Sequence, residues 1–124
     1  MIFYIYVELL VNFMVDRINL HEDDKSELHC MIIAKRKGED MPILCHPHKD
    51  MVFLILRGQM KIDSYDKDGK ITETMLYEPI TKSQKYIHLF EKGEYYQMRP
   101  LTDVIYVEVN KGPFNKKTHN RYLE

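Results

Sequence analysis

The sequence has little cysteine, little glycine and proline, and no marked excess of charge of either sign. Its 124 residues contain two cysteines, five glycines and five prolines. Two cysteines, Cys30 and Cys45, do not make a disulfide framework, so a reduced, cytoplasmic setting is predicted. The scarcity of glycine and proline, together with nine tyrosines, favours a β-rich fold.

The chain also lacks a basic surface and a long apolar run. Lys plus Arg (18) nearly balance Asp plus Glu (19), so no nucleic acid or anionic membrane is expected as a partner. Met1–Val15 is apolar, but it is shorter than the roughly 20 residues that span a bilayer, and Glu8 and Asn12 interrupt it. It also lacks the basic start and cleavage site of a signal peptide. We expect this segment to pack on the domain or on a second subunit.

Short segments with strand composition follow one another at regular spacing, and no long helical segment lies between them. The clearest turn is Asp66–Lys70, because its Asp-Gly pair supplies the positive φ that tight hairpin turns need. About eight strands of this kind predict an all-β sandwich or barrel of the jelly-roll type. The predicted division is an N-terminal extension over 1–21, of strand and short helix, a barrel over 22–115 and a tail over 116–124.

Two histidines, His46 and His48, stand one residue apart at the start of an apolar run that ends at Gly58. In a β-strand, side chains at i and i+2 leave the same face, so both imidazoles are expected to point at one place. Two converging imidazoles are suited to chelate a divalent metal. The alternative is a pair of exposed strand histidines without a ligand.

This stretch resembles the first motif of the cupins, which has a glycine, a His-x-His, an acidic residue and a closing glycine. Gly38, His46, His48 and Gly58 match that pattern. Met51 stands where the acidic ligand is expected, so the chain departs from the pattern there.

Four further motifs occur in the order typical of the WbuC-like cupins, a family linked to O-antigen and surface-polysaccharide gene clusters. They are Arg17-x-Asn19-Leu20-His21, Pro47-His48, Tyr65-Asp66-x-Asp68-Gly69 and Glu108-Val109-x-Lys111-Gly112-Pro113-Phe114. The resemblance covers roughly residues 9–115. It implies a cupin double-stranded β-helix, a homodimer, and a pocket in the barrel mouth lined by His46 and His48.

The resemblance also implies a metal site, from which this sequence departs a second time. The family's second motif ends in a ligand histidine, and this chain has Tyr96, or alternatively Tyr95, in its place. The implied metal ligands are therefore His46, His48 and Tyr96, around a divalent ion such as Zn, Ni, Fe or Mn. A thioether at Met51 suits soft ions rather than hard ones, and a phenol must lose its proton to bind a metal strongly.

Two functions remain open at this point. The first is a small-molecule-binding cupin acting on a sugar or nucleotide-sugar, with isomerase or epimerase chemistry carried by His48, Tyr96 and Glu108. Glu108 lies within an apolar strand, where a carboxylate is either on the outer face or held in the pocket by a partner. Arg17, Asn19 and His21 are predicted to line the ligand pocket, with Arg17 binding a carboxylate or phosphate. The alternative for Arg17 is a surface salt bridge with Asp23 or Asp24. The alternative is a non-catalytic binding or regulatory cupin with a degenerate metal site.

Overall fold

The computed structural model describes residues 16–123, and within them the regular structure consists of β-strands. There are ten strands, in chain order: β1 (Arg17–Asn19), β2 (Leu28–Lys35), β3 (Leu44–Cys45), β4 (Met51–Arg57), β5 (Met60–Tyr65), β6 (Ile71–Tyr77), β7 (Ile87–Phe90), β8 (Tyr95–Pro100), β9 (Val104–Lys111) and β10 (Arg121–Tyr122). The predicted strand over 2–7 and helix over 8–15 lie outside the described residues. Within 16–123, no helix is long and apolar enough to cross a membrane.

The strands form two five-stranded antiparallel sheets that face each other. The first sheet has the order β1-β2-β9-β4-β7, and the second has the order β10-β3-β8-β5-β6. The predicted all-β jelly roll is therefore confirmed. The division into extension, barrel and tail stays a prediction, but two flanking pieces belong to the sheets: β1 pairs with β2, and β10 pairs with β3.

The core lies between the two sheets because each strand alternates apolar side chains toward the interior. Met51, Phe53 and Ile55 of β4 pack against Met60 and the other core residues, and all are almost fully buried. The predicted turns hold the neighbouring strands in register. Gly58 closes the β4–β5 hairpin at φ +84°, where an added Cβ would collide with the Asp103 carbonyl oxygen.

The outer face of the first sheet is also apolar, which is unusual for an antiparallel sheet with one face on the core. The alternation places mostly hydrophobic side chains on this face, with two basic residues, Arg57 and Lys111, at the ends of β4 and β9: the apolar members are Ile18, Cys30, Ile32, Ala34, Val52, Leu54, Leu56, Ile87, Leu89, Ile105, Val107 and Val109. Ile87 and Leu89, on the edge strand β7, remain 48% and 52% exposed.

Candidate functional site

A cavity of about 240 Å³ opens at one end of the sandwich, between the two sheets. Its wall is unusually polar for the interior of a small domain. It includes four of the six histidines of the chain, with three asparagines, one tyrosine, one glutamate, one aspartate and one arginine among the other side chains: His21, His29, His46, His119, Asn19, Asn110, Asn120, Tyr96, Glu108, Asp24 and Arg17.

The pairing of β1, β2 and β9 brings Arg17, Asn19 and Glu108 together from distant parts of the sequence. Asn19 lies opposite Met31, and Met31 lies opposite Glu108, so the three share one row across the inner face. Arg17 is two residues before Asn19 and therefore points to the same side. The predicted pocket residues Arg17, Asn19 and His21 all line this cavity, together with Glu108.

His46 and Tyr96 form a buried pair at the centre of the cavity wall. The His46 Nε2 lies 2.7 Å from the Tyr96 hydroxyl, and the His46 Nδ1 lies 3.1 Å from the backbone oxygen of His119. Since a carbonyl oxygen only accepts, Nδ1 must donate its proton to it, and Nε2 accepts the phenol proton. Burial lowers the pKa of His46, although the His119 carbonyl acts in the opposite direction. Both ring nitrogens of a neutral His46 are therefore engaged.

Glu108 is a buried carboxyl group whose one side-chain hydrogen bond within residues 16–123 comes from the Asn110 amide nitrogen at 3.4 Å. Burial raises its pKa, and the charges of Arg17, Lys35 and Lys49 oppose that effect. Of the two placements left open by the sequence, the inward one is correct, because Glu108 sits on the inner face between Met31 and Phe53. A buried carboxyl group on a cavity wall is suited to exchange a proton with a bound molecule.

A second pair of histidines lines the cavity near the start of the chain. The ring of His21 stacks on that of His29 with centroids 4.0 Å apart, and the His21 Nδ1 accepts a hydrogen bond from the Cys30 amide. The absence of a side chain at Gly112 leaves room for the His29 ring. A Cβ added to Gly112 would overlap the Ser26 carbonyl oxygen and lie 2.7 Å from the His29 Nε2.

The structure separates His48 from His46, so the expectation that both imidazoles converge is wrong. His46 is buried in the cavity, whereas His48 is exposed and lines a separate surface groove beside Lys49 and Lys111. The reason is local: β3 ends at Cys45 and β4 begins only at Met51, so the histidine pair lies in a bend between strands. The period-of-two argument applies only within a strand.

The side chains present do not fit the metal site that the resemblance implies. In residues 16–123, no group of three or more His, Cys, Asp or Glu side chains is arranged to hold a metal ion. His46 has no free nitrogen lone pair, and His48 lies elsewhere. Met51, at the expected acidic position, is 1% exposed and packs in the core.

Sequence reasoning missed five polar residues of the cavity wall: Asp24, His29, Asn110, His119 and Asn120. The alternation of β2 and β9 carries a signal for two of them, since His29 and Asn110 lie on the inner faces of their strands and pair with each other. No comparable signal exists for His119. It reaches the cavity because the chain after β9 crosses to the second sheet and pairs with β3 as β10.

Comparison with solved structures shows the same fold at low sequence identity. The Cnp3 cupin domain of Schizosaccharomyces pombe is 14% identical with a TM-score of 0.61, over 77% of this chain and 59% of that one. An uncharacterized conserved protein with a double-stranded beta-helix domain from Klebsiella pneumoniae is 13% identical with a TM-score of 0.63, over 88% and 85%.

A third structure is an oxalate decarboxylase in complex with formate, from Lactobacillus farciminis. It is 13% identical with a TM-score of 0.60, over 79% of this chain but only 27% of that one. The chain thus spans 59% of the Cnp3 structure and about a quarter of the decarboxylase. These likenesses establish the cupin fold.

The sequence itself matches one family. No curated protein matches the chain. The sequence model of the family described as "Domain of unknown function (DUF6016)" matches residues 16–77, which are half of the chain and contain Arg17, Asn19, His21, His29 and His46. The chain therefore has the cupin fold and belongs to this family.

Proposed function

We propose that the protein binds a small polar molecule, of the size of one sugar unit or a small organic acid, in the cavity around His46 and Glu108. The observation that carries the proposal is the convergence of polar side chains from four strands and three connecting segments on one concave space. Binding sites for small molecules are usually concave, with a few polar groups that fix the ligand. At about 30 Å³ per water molecule, the cavity has room for roughly eight waters.

Arg17 is the group of the cavity wall suited to an anionic part of a ligand, whereas Asp24 and Glu108 on the same wall suit its hydroxyl groups. Neither of the two ion pairs among the described residues includes Arg17, so its guanidinium can contact a carboxylate or phosphate, although its charge also acts on Glu108. The side-chain amides of Asn19 and Asn110 and the histidine rings are suited to hydrogen-bond hydroxyl groups of a ligand. A sugar phosphate or a sugar acid matches this arrangement. A nucleotide-sugar would place only its sugar inside the cavity, with the nucleotide outside the mouth.

Thermal shift measurements test this proposal with monosaccharides, sugar phosphates and small hydroxy acids as probes. A ligand that binds only the folded state raises the melting temperature in a concentration-dependent way. Arg17→Gln is expected to weaken an anionic ligand about 10–100-fold, the loss of one charge-assisted hydrogen-bonded contact. Arg121→Gln, an exposed change outside the cavity wall, is the matched control. Equal effects of the two variants would contradict the assignment.

The same cavity supports sugar isomerase or epimerase chemistry as the catalytic form of the proposal. In this form the hydrogen-bonded His46–Tyr96 pair would exchange a proton with a sugar carbonyl oxygen, and Glu108 would exchange one with the neighbouring carbon. His48 has no part in this version, because it lines a different groove. The WbuC-like subfamily and a cytoplasmic location stay predictions.

Deuterium incorporation into a bound sugar in D₂O separates the catalytic form from the non-catalytic alternative. The catalytic form predicts exchange at the carbon next to the carbonyl, detected by proton NMR, and its loss in Glu108→Gln. Binding without exchange favours a ligand-binding or regulatory cupin with a degenerate metal site.

The partner proposed for the whole chain is a second copy of itself. Among the described residues, the outer face of the first sheet is apolar except for Arg57 and Lys111 at two strand ends, and such an apolar face is complementary to itself across a two-fold axis. The sequence prediction that Met1–Val15 also takes part in this contact lies outside the described residues.

A further inference from the structure

The hydrogen bonds of the His46 ring determine whether this imidazole can hold a metal ion. A metal ligand needs a nitrogen lone pair directed at the ion. The His46 Nδ1 donates to the His119 carbonyl oxygen at 3.1 Å, so its lone pair is used by the N–H bond. The remaining lone pair, on Nε2, points at the Tyr96 hydroxyl at 2.7 Å.

The Tyr96 ring is fixed in the position that blocks Nε2. It is 1% exposed and stacks on Phe90 with ring centroids 3.9 Å apart and an angle of 25° between the planes. Its backbone lies in the middle of the second sheet, opposite Leu44 on one side and Ser64 on the other. Moving the phenol away from His46 would require the core beside Phe90 to repack, which is costly in a close-packed interior.

The phenol keeps its proton at this contact, because the proton of His46 is on Nδ1 and Nε2 can only accept. A neutral phenol is a hydrogen-bond donor to Nε2 and a poor metal ligand.

We propose that the Tyr96 phenol occupies the place of a metal ion at His46, so that the cavity binds its ligand through protein groups alone. The backbone carbonyl of His119 completes this arrangement by fixing the His46 tautomer, which makes the segment before β10 part of the site. The inference rests on the proposed function only in taking the same cavity as the ligand site. Metal binding at His46 would overturn it and leave small-molecule binding intact.

Calorimetry with Zn²⁺ and Ni²⁺ on the full chain, purified without a histidine tag, tests the proposal. We expect no one-to-one binding that depends on His46. Binding that is unchanged in His46→Gln comes from other groups, such as the exposed His48, and agrees with the proposal. One-to-one binding that is present in the wild type and lost in His46→Gln overturns it.

Nitrogen-15 NMR of the histidine rings gives a second readout that needs no His46 variant. The wild type is expected to show a protonated Nδ1 and an unprotonated, hydrogen-bonded Nε2 at His46, and excess Zn²⁺ should leave both signals unmoved. In Tyr96→Phe, which removes only the phenol oxygen, Zn²⁺ should shift the Nε2 signal. A shift in the wild type, or none in Tyr96→Phe, would show that the phenol is not what excludes the metal.

Discussion

At the scale of single residues, the Tyr96 hydroxyl is the group whose removal is best defined. Tyr96→Phe keeps the ring that stacks on Phe90 and deletes one buried hydrogen bond, which leaves His46 Nε2 without a donor. An unsatisfied buried acceptor costs about 1–3 kcal/mol. We therefore expect the free energy of unfolding in urea to fall by that amount. Tyr122→Phe, at a position 55% exposed, should leave it unchanged; equal values for the two variants would contradict the buried pair.

The histidines of the cavity predict that the protein loses stability in acid. Burial, with the charges of His46 and Lys49, lowers the pKa of His119 to about 4, and burial also lowers the pKa of His46. Unfolded histidine titrates near 6.5, so the unfolded state binds more protons between about 6.5 and 4, and stability falls as the pH falls through that range. Melting temperatures measured from pH 7.5 to 4.5 check this.

In His119→Gln, the melting temperature should fall less steeply with falling pH than in the wild type. In His48→Gln, the wild-type dependence of the melting temperature on pH should persist, because His48 is exposed and lies outside the cavity. An unchanged slope in His119→Gln would show that the acid sensitivity arises elsewhere.

At the scale of elements, strand composition, regular spacing and turn residues predict the all-β architecture. The predicted Asp66–Lys70 turn is confirmed, with Gly69 at φ +83° and the Asp66 amide bonded to the Lys70 carbonyl. The His46–His48 segment was assigned to a strand for its composition, but Pro47 and the bend before β4 place it between strands. Position in the fold, rather than spacing, decides which histidines meet.

The second sheet contains a buried ion pair whose disruption should be costly. Asp63 is fully buried, accepts a hydrogen bond from Thr74 at 2.6 Å, and lies 3.0 Å from the Arg99 guanidinium. Arg99→Met removes the only cation paired with this carboxylate among the described residues, and breaking a buried pair costs roughly 3–5 kcal/mol. Because Arg99 is itself one-third exposed, we expect the lower end of that range in a urea titration.

Arg36→Met is the matched control for that change. The Arg36 guanidinium lies 3.7 Å from Asp103, and both side chains are well exposed, so its loss should cost less than about 1 kcal/mol. A similar cost for Arg36→Met and Arg99→Met would contradict the role given to burial.

At the scale of the whole molecule, the apolar outer face of the first sheet predicts a dimer. Ile87→Lys puts a charge in the exposed part of this face, at a position 48% exposed in the single chain. Light scattering should give twice the monomer mass for the wild type and 14.9 kDa for the variant. Ile71→Lys, 51% exposed on β6 of the other sheet, should remain a dimer. A wild type that is monomeric throughout would reject the interface.

Histidine NMR on the wild-type chain measures the central claim, that the cavity is the ligand site, most directly. The chain has six histidines, of which His21, His29, His46 and His119 line the cavity, while His48 and His88 do not. Titration with sugar phosphates and small hydroxy acids is expected to move the ring signals of the four cavity histidines and to leave the other two in place. Shifts confined to His48 or His88, or no shift with any of these probes, would contradict the account.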